Sequence, residues 1–194
     1  MNEPKLKNVS WRTADGWVII GLAGATFLAA WASDEGRRRL EVVLSHPTAR
    51  AEWALRSGLG VLAAIGVVTL VIASFIGVAV VAQGGDPVAP VAGIGILGLA
   101  SGAFAGVGLA VGGLVRSSLA AGVTGVLIIA TLLIDTLGAA LKLPQWVLDL
   151  SIYKHLGQPM AGIFDPVGIV VATVMVVGGL ALCAIGFTRR DIGR

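Results

Sequence analysis

Few side chains in this 194-residue chain are of a type that performs chemistry. It has two histidines and one cysteine. His46 stands beside Pro47, and His155 follows Tyr153 and Lys154. The apolar runs between them place the two histidines on opposite sides of a membrane, so they cannot share a metal. Neither HExxH nor HxxEH occurs. Cys183 sits in an apolar run with no CxxC neighbour and no partner for an internal disulfide, and reads as a small buried side chain. Ser101 lies in a Gly98-x-x-Ser101-Gly102 sequence that superficially suits a serine nucleophile. A serine needs a base, and no histidine lies inside any apolar run to supply one. Gly84-Gly85-Asp86 and Gly112-Gly113 lack the lysine and hydroxyl of a phosphate loop. Asp135 closes an apolar stretch that includes Ile128, Ile129, Leu132, Leu133 and Ile134. An acid inside a membrane is costly and is usually functional. Near the end of its run it fits first a helix-end or interfacial role, then contact with a substrate path or partner helix, and last proton coupling. The expectation is no catalytic residue, no metal site and no cofactor.

The elements that carry these residues follow from composition. The chain is 56% hydrophobic and 13% charged. Soluble domains carry about 25% charged residues, so this chain cannot clothe a globule of its size in polar surface. That excludes a disordered chain, a solenoid of soluble repeats and an ordinary cytosolic enzyme. A formal net charge of +3 does not suggest a nucleic-acid partner. The apolar blocks are continuous, without the alternation of a barrel strand. An all-α polytopic membrane protein is expected, in a helical bundle of about five spans. The spans are about 17–33, 57–83, 88–114, 118–137 and 165–187. Ahead of them is a polar N-terminal segment, 1–16, and 17–194 form one transmembrane domain. The first run could imitate a signal peptide, with Ala29, Ala30 and Ala32 at its end. The charged stretch and further spans after it favour an uncleaved helix.

Two local patterns add detail. Gly98, Gly102 and Gly106 form small-xxx-small pairs, which suit helices packed closely in lipid. Asp165-Pro166 suits a helix start, with the aspartate as cap and proline first. Orientation follows from loop positive charge. One side would carry Arg37, Arg38, Arg39, Arg50, Arg56, Arg116, Arg189, Arg190 and Arg194; the other would carry Lys5, Lys7, Arg12, Lys142 and Lys154. The first set is expected in the cytoplasm of a bacterial cell. The C-terminus is then inside, the N-terminus outside, and 138–164 form an outer interfacial segment.

The stretch 34–56 is the most informative. Leu40, Val43 and Leu44 fall at i, i+3, i+4 and give a short amphipathic helix. Arg37, Arg38, Arg39 and Glu41 cover the rest of its surface, and Pro47 closes it. Such a helix between two spans needs headgroups or a protein to cover its apolar stripe. The residues Glu35, Gly36, Leu40, Glu41, Val42, Val43, Leu44, Ser45, Pro47 and Arg50 resemble the coupling-helix region of ABC-2 type permeases. Three arginines stand here where that family has one or two. Leu150, Ser151 and Tyr153 are similar to the family's sequence before its last span, with Ile152 where Pro-Phe is expected. Arg189, Arg190, Asp191 and Ile192 resemble its C-terminal end. The likeness runs from Trp17 to the C-terminus and is nearest to the exporter-type subunits.

The resemblance implies a transmembrane subunit of an ATP-binding-cassette transporter. Such a subunit exports a hydrophobic or amphipathic solute with ATP hydrolysed by a separate chain. It implies that Glu35, Gly36, Arg37, Arg38, Arg39, Leu40, Glu41, Val43, Leu44, Pro47 and Arg50 meet that ATPase subunit. A second permease half, as a homo- or heterodimer, and the lipid bilayer complete the partners. Spans 17–33, 57–83 and 118–137 would bound the route, with Asp135, Gly98, Gly102 and Gly106 at the pathway or at helix contacts. The family has six spans, and this sequence begins at what would be the second. A non-transporting accessory or assembly subunit is therefore the alternative.

Overall fold

The computed structural model describes Thr26, Ala29 and residues 50–138, 141–149, 151, 153–159 and 162–189. Span 17–33 lies outside this set except for Thr26 and Ala29, which are helical and exposed. Four helices among the described residues are long and apolar enough to cross a membrane. The protein is an all-α polytopic membrane protein.

Helix α1 covers Arg50–Ala82. It begins before its apolar stretch, so the polar turn and the span form one helix. An i,i+4 ion pair between Glu52 and Arg56, 2.6 Å apart, sits on that first part. Thirty-three residues at 1.5 Å each make a helix about 50 Å long, against about 30 Å of hydrocarbon. The polar turn therefore reaches into the headgroups. The helix stops at Gly84, whose φ of +74° is left-handed. Gly85 N–H then reaches back to Val80 O at 3.0 Å and Gly84 N–H to Val81 O at 2.9 Å. These two bonds use carbonyls that the helix end would otherwise leave open.

Helix α2 covers Val88–Leu114. Asp86 Oδ1 accepts from Val88 N–H at 3.0 Å. After the break at Val115 and Arg116, α3 covers Ser117–Leu137. The connection that follows holds the short helix α4, Gln145–Leu148, and a 3-10 turn, Tyr153–Leu156. Strands β1, Gly157–Gln158, and β2, Ile163–Phe164, pair antiparallel, Gly157 with Phe164 and Gln158 with Ile163. Helix α5 covers Pro166–Arg189. It starts as its sequence predicts: Asp165 Oδ1 accepts from Val167 N–H at 2.9 Å, with Pro166 in the first turn.

Helix α2 is central. In its apolar stretch 67% of residues are buried, against 11% in α1 and 22% in α3 and α5. The other three surround it and turn Leu70, Phe75, Val126 and Val174 outward. In water such a surface would be untenable; in lipid it costs nothing, because the acyl chains are as apolar as leucine. The main core holds Val61, Ile65, Leu109, Ala120, Cys183 and Phe187. A second cluster joins Ala100, Phe104 and Ile128 to Leu156 of the 3-10 turn. The turn thereby seals the end of the bundle where α2 and α5 begin. There, Gly168 lies so close to His155 O that no side chain fits.

Candidate functional site

The face of α1 that carries Leu62, Ile65, Thr69, Ala73, Gly77 and Val81 repeats every three or four residues, so these positions form one stripe. It turns toward Val91, Gly95, Gly98 and Gly102 of α2. Between the two helices is a cleft of about 1070 Å³, with Val176 of α5 at its inner end. It runs from the middle of the bundle to the turn at Ala82 and Pro87. Its hydroxyls are spent locally: Thr69 Oγ1 donates to Ile65 O and Ser74 Oγ to Leu70 O, each at 2.8 Å. The lining carries no charge. It therefore offers a guest apolar surface and shape rather than ionic recognition.

Glycine sets the geometry of its floor. A Cβ on Gly98 would strike the Thr69 side chain, and one on Gly102 would come within 3.3 Å of Val176. Gly95 also lines the cleft, but a Cβ there would meet nothing within 4 Å. Gly106 lies elsewhere, in the seam between α2 and α5. A Cβ on Gly106 would strike Met175 O, one on Gly179 the backbone of Gly106, and one on Gly186 the backbone of Gly113. The two backbones touch along this seam. As 106 meets 179 and 113 meets 186, the helices run parallel. Thus Gly98 and Gly102 lie at the cleft and Gly106 at a helix contact.

Asp135 is exposed near the end of α3 and is not part of the cleft lining. Arg50 opens α1. The coupling positions Glu35, Gly36, Arg37, Arg38, Arg39, Leu40, Glu41, Val43, Leu44 and Pro47 lie outside the described residues. His155 is exposed, with Nε2 2.8 Å from Asp149 O. Among the described residues no group of three or more His, Cys, Asp or Glu could hold a metal ion. Ser101 is buried on α2 at 3% exposure; on α3, Thr124 Oγ1 donates to Phe104 O at 3.4 Å.

Sequence reasoning missed Thr69, Gly95, Gly179 and Gly186. The seam had a readable signal. Gly106 and Gly113 are seven residues apart, and so are Gly179 and Gly186. Two full turns separate each pair, so each puts two small residues on one helix face. The cleft had no such signal, since its walls come from two helices and the gap between them.

Four lipid-facing helices around an uncharged cleft define a polytopic membrane protein. Residues 4–188 match the family model described as "Multidrug efflux system permease Rv1217c, C-terminal domain". The chain belongs to this family. It is accordingly a transporter's membrane subunit, of multidrug efflux permease type. Comparisons with curated proteins and with solved structures returned no match.

Proposed function

We propose that the chain is the transmembrane subunit of an ATP-binding-cassette exporter of the ABC-2 type. It moves a hydrophobic or amphipathic solute outward, and a separate chain hydrolyses the ATP. The observation that carries this reading is the family match across nearly the whole chain. The apolar cleft between α1 and α2 supports it, because a solute drawn from lipid needs a path without charge. The coupling residues Glu35 to Arg50 would press on the ATPase subunit, and a second permease half would complete the transporter.

The distribution of charge supports a bacterial plasma-membrane orientation. Arg56, Arg116 and Arg189 stand at one end of the bundle; Asp86, Lys142, Asp149 and Asp165 stand at the other. By the positive-inside rule the arginine end is cytoplasmic. The C-terminus is then cytoplasmic, and span 17–33, by crossing once, would put the N-terminus outside; were it only to lie on the membrane, the N-terminus would be inside.

The test is gentle purification from the native membrane, with mass spectrometry of every chain recovered. A stoichiometric ATP-binding-cassette subunit is expected. Replacing Leu40 and Leu44 together with Asp should remove that subunit while leaving insertion intact. If the ATPase still co-purifies with the double variant, the coupling assignment fails. Recovery of another permease without any ATPase would point instead to an accessory subunit.

A further inference from the structure

Helix α1 packs on α2 along the floor of the cleft. Thr69 meets Gly98, and a Cβ on Gly77 would come within 3.2 Å of Val91. Behind them Ile72, Ala73 and Ile76 pack on Ile94 and Leu97. The floor is therefore closed, and no guest passes between the helices there. The rim is open instead. Leu70, Val78 and Val81 line the cleft and are exposed. Gly66 and Gly95 line it too, and a Cβ on either would meet nothing within 4 Å. In a bilayer this rim faces acyl chains, so the cleft is a groove open sideways to lipid. From Leu62 to Ala82 it follows α1 for about 30 Å, at 1.5 Å per residue. Its volume of about 1070 Å³ suits one drug-sized ligand, and spread over that length it suits an extended one.

The two ends of the groove differ. The inner end, at Leu62, Gly102 and Val176, is wholly apolar. The other end reaches Ala82 and Pro87, which frame the turn that holds Gln83 and Asp86. Both of these side chains are exposed. Gln83 Nε2 donates to Ala79 O at 3.2 Å, which leaves its carbonyl oxygen as an acceptor. Asp86 Oδ1 accepts from Val88 N–H, which leaves its second oxygen for a ligand. The turn from Ala82 to Val88 carries no basic residue. The negative pole of α1 and the positive pole of α2 both end here and offset one another, so the carboxylate sets the charge of this mouth. From this we infer that the groove binds a linear cationic amphiphile, its chain laid along α1 and its ammonium head at Asp86. An anionic head would meet the carboxylate with like charge, and a neutral head would gain only the burial of the chain. The inference rests on the proposed reading of the cleft as the solute's path and names the class of solute that it takes.

The test uses the full chain, with whatever chains accompany it, in phosphatidylcholine nanodiscs. Three photoreactive probes share a hexadecyl chain with a terminal diazirine and differ in the head: trimethylammonium, phosphocholine or sulfate. Each variant is compared with wild type under the same probe, so that partition into lipid cancels. The trimethylammonium probe should saturate, with its label nearer Thr69 than Val81. Asp86→Asn removes the charge and keeps the cap, because asparagine caps as well as aspartate. It should weaken the trimethylammonium probe about two- to fivefold, as loss of an exposed ion pair does, and leave the phosphocholine probe unchanged. Gly95→Leu should weaken both. Unchanged binding of the trimethylammonium probe by Asp86→Asn, or an equal loss with all three heads, overturns the cationic assignment. Label outside the groove, or full binding by Gly95→Leu, overturns the site. Binding needs no ATP, so the proposed function is read separately. A probe that binds as expected but is not moved by ATP in vesicles leaves the site standing and sinks the exporter. ATP-driven movement of a neutral lipophilic dye, without saturable binding of the trimethylammonium probe, does the reverse.

Discussion

At the scale of single residues, the glycines divide into those that hold the protein together and those that keep space open. Gly106 faces a carbonyl of α5, and a larger residue has no flexible neighbour to displace. Gly106→Leu should therefore separate α2 from α5. Destabilisation of more than about 3 kcal/mol is expected, above the usual range for overpacking because backbone rather than side chain must move. Thermal unfolding in detergent measures it. Gly95→Leu should behave in the opposite way. It adds a side chain into open cleft, so the midpoint should stay within about 2 °C. Efflux of a lipophilic dye should fall severalfold if the cleft is the path. Equal efflux by Gly95→Leu and wild type would show that the solute passes elsewhere. Spacing marks Gly106 as a contact position, but no local pattern shows that Gly95, in the same glycine-rich run, borders open space. What separates them is the neighbour each meets, and that neighbour is contributed by a helix far along the chain.

At the scale of elements, starts and stops were the most legible part. Asp165-Pro166 was read as a helix start, and Asp165 makes the expected bond to Val167 N–H. Replacing Asp165 with Ala should cost about 1 kcal/mol, the usual loss for an N-cap, and lower the unfolding midpoint by a few degrees. An unchanged midpoint would mean that the bond adds nothing to stability. Gly84, Gly85, Asp86 and Pro87 are turn residues for equally local reasons. Helix α1 was less legible. Its apolar stretch begins at Ser57, but the helix extends back to Arg50, because Glu52 and Arg56 favour helix without being apolar. Hydropathy marks where a chain meets lipid, not where a helix begins. The 138–164 segment was read only as an outer interfacial one. Its burial of Leu156 against Phe104 and Ile128 depends on tertiary contacts that no local pattern encodes.

At the scale of the whole molecule, the class and the positions of the four described spans were legible because lipid imposes one rule on every segment: its backbone bonds must close within the helix. The order of helices around the bundle was not, since any one of four apolar helices of similar composition can be surrounded by the other three. Glycine content gave the one clue. Helix α2 is the most glycine-rich of the four, and it is the buried one. Orientation remains a matter for chemistry. A cysteine placed at Asp86 should react with a membrane-impermeant thiol reagent on whole cells. One placed at Ser45 should react only after permeabilisation. The reverse pattern would invert the topology and put the arginine end outside.

The two parallel helices of the seam have an electrical consequence. Each α-helix carries about half a positive charge at its N-terminus. Because α2 and α5 run the same way in contact, two such positive poles emerge side by side at one end of the bundle. Like poles at that spacing repel. Both helices open with the same three residues, Asp86-Pro87-Val88 and Asp165-Pro166-Val167, so each pole meets a carboxylate of its own. The aspartates that close the backbone bonds thus also quiet a repulsion that the parallel arrangement creates. They do so without adding positive charge to the end opposite the arginines, where it would weaken the charge asymmetry that orients the protein.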